Sequence, residues 1–213
     1  MEKLAVLLLL SSFIASCAPA AQTAPAEAVN VYATSAAQPW LTELYTCADE
    51  LSVTLNITAA EPDIHLRVGE PRTITSPIYQ IDEEEILIVT HREGPLQNLT
   101  LAQAQDLFAQ GNDSAQVWVY ASDADVQIAF DQLVMKGRPV TPFAYMAASP
   151  QQMSDLLNAE KAAVGILPKH WAAGTVRGIF SAGTVPVLAM TREVPQGKIE
   201  NLISCLQKNS EKH

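Results

Sequence analysis

Basic residues are scarce: 13 Lys and Arg stand against 23 Asp and Glu in 213 residues, a net charge of −10. Nucleic acids and anionic lipid faces are normally met by a basic footprint, so this balance argues against either as a partner surface. Catalytic signatures are missing as well. There is no G-x-S-x-G elbow, no H-E-x-x-H pair and no P-loop, and the four histidines, among them His65, His91 and His170, are scattered along the chain. Asp82-Glu83-Glu84-Glu85 lacks the glycine and the alternating acids of a calcium loop and reads as a solvated turn. No enzyme, metal site or cofactor is therefore expected. A second long apolar run is also lacking, so after the N-terminal segment the chain, with 48% hydrophobic residues, reads as a globular body of about 180 residues from Val29 onward.

What is present at the start is an apolar stretch from Leu4 to about Ile14 behind Lys3, too short to cross a bilayer and built like a secretory signal. Ile14-Ala15-Ser16-Cys17 resembles the lipobox of bacterial lipoproteins, which implies cleavage before Cys17 and attachment of acyl chains such as palmitate to it. An ordinary cleavage site with an incidental cysteine is the alternative. The next stretch, "APAAQTAPAEA", has the Ala/Pro/Thr composition of a tether. These readings give a signal peptide over 1–17, a tether over 18–28 and a lipid-anchored, extracytoplasmic location in the cell envelope. Cys47 and Cys205 are then the remaining thiols in an oxidising compartment, either joined as a disulfide or buried free.

Along the body, "VNVYAT" alternates as a strand does, and "SAAQPWLTELYTCADEL" breaks at Pro39 into an amphipathic helix carrying Trp40, Leu41, Leu44 and Leu51. "VTLNIT", "DIHLRV", "SPIYQ" and "EEILIVTHR" read as strands, the last two around the acidic turn. Thr100 and Gln103 form a capping box for a helix ending at Gly111. "QVWVYA" is a strand, "DADVQIAFDQLVMKG" a helix, and Ser149-Pro150 opens another. "AVGILP", "VRGIF" and "TVPVLAMTR" read as strands, and Ile199, Leu202, Ile203 and Leu206 stripe a final helix. Trp118 and Tyr120 share a strand face with Phe130 nearby, which reads as a core cluster. The alternation predicts an α/β fold with strands paired mainly in parallel. The element order predicts two lobes, 29–91 plus 181–208 and 92–180, each with its own sheet.

Several of these segments fall in the order seen in the phosphate-binding-like substrate-binding proteins of bacterial ABC importers. "VYATSAAQPWLTEL" resembles that family's first strand, hydroxyl-rich loop and helix start, and "DIHLRV" its "aDia" strand. "EEILIVTHREGPLQNLTLAQAQDLFAQG" is similar to its crossover and following helix, "AVGILP" to a late strand, and "VPVLAMTREVPQGKIENLISCLQK" to its closing strand and helix. The resemblance implies a two-lobed type II periplasmic-binding fold with two crossover strands and a central cleft. It also implies a small-molecule ligand, phosphate or another oxyanion, and ABC permease subunits as partners. By position it assigns Thr34, Ser35, Ala36 and Arg67, with Arg72 as an alternative cation, and Ser122, Asp123 and Asp125 to the cleft. Two departures point elsewhere. The family's hydroxyl-rich second loop aligns with Ala124-Asp125-Val126, and a glycine-rich loop and helix between "VTLNIT" and "DIHLRV" is reduced to four residues. An oxyanion is costly to desolvate without donors. A degenerate binding domain serving as an envelope sensor or interaction module is therefore the second functional expectation.

Overall fold

The protein is seen in a computed structural model that describes residues 28–210; Cys17, the signal peptide and the tether up to residue 27 lie outside the described residues. The described chain alternates short strands and helices. The strands are β1 (Val29–Ala33), β2 (Leu55–Ile57), β3 (Ile64–Val68), β4 (Ile78–His91), β5 (Gln116–Val119), β6 (Tyr145–Met146), β7 (Ala163–Pro168) and β8 (Val176–Thr191). The helices are α1 (Leu41–Glu50), α2 (Leu101–Gln110), α3 (Asp125–Phe130), α4 (Pro150–Ala159) and α5 (Lys198–Ser210). After Phe130 the chain continues through one wider π-type turn, Asp131–Met135.

Local signals account for the elements. In β1 and β3, Val29, Val31, Ile64, Leu66 and Val68 are buried at every second position, so one face of each strand joins the core. Thr100 caps α2 by accepting from the Gln103 N–H, and Gln103 reaches back to the Thr100 N–H, the reciprocal capping box that the spacing predicts. Ser149 accepts from the Gln152 N–H with Pro150 opening α4. In α1 the buried positions are Leu44, Cys47 and Ala48, in α5 Leu202, Ile203 and Leu206; Leu51, expected on the apolar stripe of α1, is exposed beyond its end. A disulfide between Cys47 and Cys205 joins these two helices across 158 positions.

All eight strands form one continuous sheet in the order β2-β1-β3-β8-β4-β7-β5-β6. This corrects the expectation of a separate sheet in each lobe. The reason is the length of β4 and β8, which pair antiparallel from Ile78↔Met190 to His91↔Val176 and belong to both halves. At one end of this ribbon β3 pairs with the Val187–Thr191 portion of β8, and β1 and β2 follow in parallel. At the other end β7 pairs with the Ile86–Thr90 portion of β4, and β5 and β6 follow in parallel. Parallel pairing thus holds within each flank, while every pair involving β4 or β8 is antiparallel. Helices α1 and α5 pack at the first end, α4 and α3 against β7 at the second. His91 is the last residue of β4, and Ser181 falls inside β8.

Two further expectations are overturned here. "VRGIF" and "TVPVLAMTR" are a single strand, because the intervening Ser181–Thr184 pairs with Glu85–Leu87 through a register shift. Asp82–Glu85 is not a solvated turn but the middle of β4. Each of three acids there has a partner: Asp82 Oδ2 accepts from Trp40 Nε1 at 2.8 Å, Glu85 accepts from Ser181 Oγ at 2.7 Å and Lys169 Nζ at 2.9 Å, and the buried Glu84 accepts from the Lys169 N–H at 2.9 Å. Buried polar groups are tolerated when their bonds are made, which lets an acidic run lie inside a sheet.

Candidate functional site

The site lies where the C-terminal ends of β1 and β3 face the start of α3. Thr34 leaves β1 with its N–H bonded to the Leu66 carbonyl at 3.0 Å, and the chain turns at once, the Ala37 N–H donating back to the Thr34 carbonyl at 3.0 Å. That turn directs the Thr34 hydroxyl across to Asp125, where it donates to Oδ2 at 2.5 Å. The Val68 N–H, at the end of β3, donates to the same oxygen at 3.1 Å, and the Val126 N–H donates to Oδ1 at 2.9 Å. Asp125 is only 6% exposed. A carboxylate taken out of water is costly unless its lone pairs are met, and here three donors from two halves of the molecule meet them.

Gly69 turns the chain just past β3, beside α3. Its φ of +74° suits glycine, and a Cβ there would stand 3.5 Å from the Ala129 Cβ of α3. Arg67, on β3, does not reach Asp125: its Nε donates to the Gly69 carbonyl at 2.9 Å. The Asp125 charge is nonetheless felt nearby. Burial lowers the pKa of the Arg67 guanidinium and of the His65 imidazole, and Asp125 opposes both shifts; burial raises the Tyr120 hydroxyl well above its ordinary value, and Asp125 adds to that. The His65 ring packs tilted against Tyr32 with centroids 5.0 Å apart.

Other contacts cross between the halves. Arg72 Nη2 donates to the Ser122 carbonyl at 2.8 Å, and Trp171 Nε1 donates to the Ala36 carbonyl at 3.1 Å. On the β4 side, His170 Nδ1 lies 2.7 Å from Glu84 Oε2, and the His170 ring packs tilted against Trp40 at 4.7 Å. Burial raises the Glu84 carboxyl above the usual carboxylate range, against the pull of His170 and two backbone N–H groups.

Of the residues assigned from sequence, the structure brings Thr34, Ala36, Arg67 and Asp125 to this junction. Ser35 is half-buried beside Thr34. Ser122 and Asp123 are exposed in the turn closed by the Ala124 N–H on the Ala121 carbonyl. Ser122 instead edges a cavity of about 380 Å³ that Gln127, Asp131 and Arg138 also line, on the far half alone. The contributions of Val68, Trp40, Glu84 and His170 were not assigned from sequence. Val68 acts through its backbone and leaves no side-chain signal. Tyr120 and Phe130 join the core with Trp118 packed against it, as expected, each with its own partner: Trp118 stacks on Tyr145 at 4.9 Å, Tyr120 donates to the Ile166 carbonyl at 2.7 Å, and Phe130 packs on Phe108 at 4.7 Å. Among the described residues no cluster of three or more His, Cys, Asp or Glu could hold a metal, and no helix is long and apolar enough to cross a membrane.

No protein-family model matches the chain, and no curated protein matches it in sequence. Solved structures do match. A substrate-binding protein of a phosphate ABC transporter from Clostridium perfringens, with bound phosphate, superposes with a TM-score of 0.76 at 16% identity, covering 87% of this chain and 96% of that one. An ABC-type phosphate transport receptor from Vibrio cholerae gives 0.65 at 15% identity, over 86% and 95%. The LysR-family transcriptional regulator CbnR gives 0.60 at 15% identity, over 85% of this chain and 69% of that one. The chain has the type II periplasmic-binding fold, a mixed α/β sheet flanked by helices, shared by binding proteins and by regulators.

Proposed function

We propose that this chain is a lipid-anchored, extracytoplasmic domain of the cell envelope in which the binding fold is kept and solute capture is given up. It serves as a non-enzymatic sensor or protein-interaction module. One observation carries the reading: the donors that one half presents to the cleft, the Thr34 hydroxyl and the Val68 N–H, are already bonded to Asp125 of the opposite half. An incoming oxyanion would have to displace a buried carboxylate and then sit against its charge, and two like charges at such range oppose each other by several kcal/mol in a partly buried setting. The net charge of −10 adds a weak long-range repulsion.

A second reading, an importer receptor for phosphate or another small oxyanion working with permease subunits, is favoured by one feature. Ser35 and Arg67 are half-buried at the same junction and would offer a hydroxyl and a guanidinium. A thermal-shift panel of phosphate, sulfate, carboxylates, amino acids, small cations and sugars separates the two. A ligand at a hundred times its dissociation constant stabilises a receptor by about 2.7 kcal/mol. The expected outcome is no shift across the panel. Stabilisation by phosphate would establish the receptor reading in its place.

A further inference from the structure

We infer that Thr34 Oγ1, the Val68 N–H and the Val126 N–H form a carboxylate seat, and that Asp125 is its resident, tethered ligand, holding the two halves closed with no solute bound. The inference rests on the closed-cleft reading above and specifies its agent. A binding protein of this kind closes when one ligand contacts both sides and so favours the closed arrangement over the open one. Here the same role falls to a side chain. Its backbone belongs to α3 on one half, and two of its three donors, on Thr34 and Val68, belong to the other. Being covalently attached, it acts at a fixed, high effective concentration that free solute does not match.

The seat is selective by construction. Oδ2 takes two donors and Oδ1 one, a pattern that a planar, two-oxygen anion fits. Arg67 lies close enough to influence the field and yet bonds the Gly69 carbonyl, so this guanidinium does not pair with the carboxylate directly. The junction is closed further by Arg72 on Ser122 and Trp171 on Ala36, each joining the two halves. Removing the Asp125 side chain should therefore leave a vacancy the size of formate, flanked by unmet donors, and weaken the closed arrangement.

Chemical rescue tests this in the full-length protein in detergent. Hydrogen exchange of the peptide containing Val68 reports the seat, and tryptophan emission, taken as the difference from Trp171→Phe, reports the Trp171 contact. In Asp125→Ala, Val68 is expected to exchange faster and the emission to shift to the red. Formate or acetate should reverse both changes saturably, while chloride at equal ionic strength should not. Adding Thr34→Val should raise the formate concentration needed by at least about tenfold, the effect of losing one hydrogen bond to a charged group. Unchanged Val68 exchange in Asp125→Ala, or faster exchange that neither carboxylate restores, would overturn the inference. Should circular dichroism show Asp125→Ala unfolded, Asp125→Asn and Thr34→Val decide it: both are expected to speed Val68 exchange, and no change in either rules the seat out. A response of the wild-type protein to phosphate would remove the functional reading above, while the Asp125→Ala result alone decides the seat.

Discussion

Glu84 shows how one residue can be misjudged when its neighbours are all of one kind. In the sequence it belongs to an acidic run, and such a run usually marks solvent. In the strand it shares parity with Ile86 and Ile88, and period-2 alternation therefore carries it inward with them. That alternation was the available signal. Thr34 and Asp125 were both legible as cleft residues from the resemblance, but their bond was not, because it spans 91 positions and its third member is a backbone N–H. Burial raises the Glu84 carboxyl above its ordinary 4.5, so the folded chain holds this proton to a higher pH than the unfolded chain does. The stability from this group is complete below the unfolded value and is lost as pH rises through the folded one. In Glu84→Gln that loss should vanish. Urea midpoints measured from about pH 4 to 8 should show the wild type falling relative to the variant as pH rises, and parallel curves would refute this assignment.

At the scale of elements, helices were the more legible class. Caps at Thr100 and Ser149 and the stripe on α5 stand where spacing placed them, since both signals are local. The two long strands were not recognised as continuous. Acids in β4 and the Ser181-Ala182-Gly183 stretch in β8 resemble interruptions, yet Asp82–Glu85 pair with Val187–Thr184, Ser181 and Gly183 pair with Leu87 and Ile86, and a register shift beside each stretch absorbs the irregularity. The bond between Cys47 and Cys205 also links elements remote in the chain. Closing a loop of 158 positions restricts the unfolded chain by roughly 5 kcal/mol in the chain-entropy model, and measured losses on removal are commonly about 2–4 kcal/mol. Replacing both cysteines by serine should lower the urea-derived unfolding free energy by that smaller amount, with α1 and α5 retained by their apolar contacts. A variant as stable as the wild type would show that those contacts suffice.

For the whole molecule, fold class was readable because an ordered set of segments, none diagnostic alone, covered nearly the entire body. The likeness to solved structures at 16% identity and below extends that to the architecture and leaves the ligand to the site. Anchoring is the whole-molecule property that the N-terminus proposes. Labelled palmitate should enter the wild-type protein and not Cys17→Ser, and the variant should leave the membrane fraction; a membrane-bound, labelled variant would end the lipobox reading. The position of β1 then has a mechanical consequence. It is the first strand after the proposed tether, and it lies between two neighbours, β2 and β3, that run in its own direction. Tension applied ahead of Val29 draws along this strand and loads its rows of bonds together in shear, so they cannot peel apart one by one. Under the proposed anchoring, the load would enter the body through a strand paired on both edges.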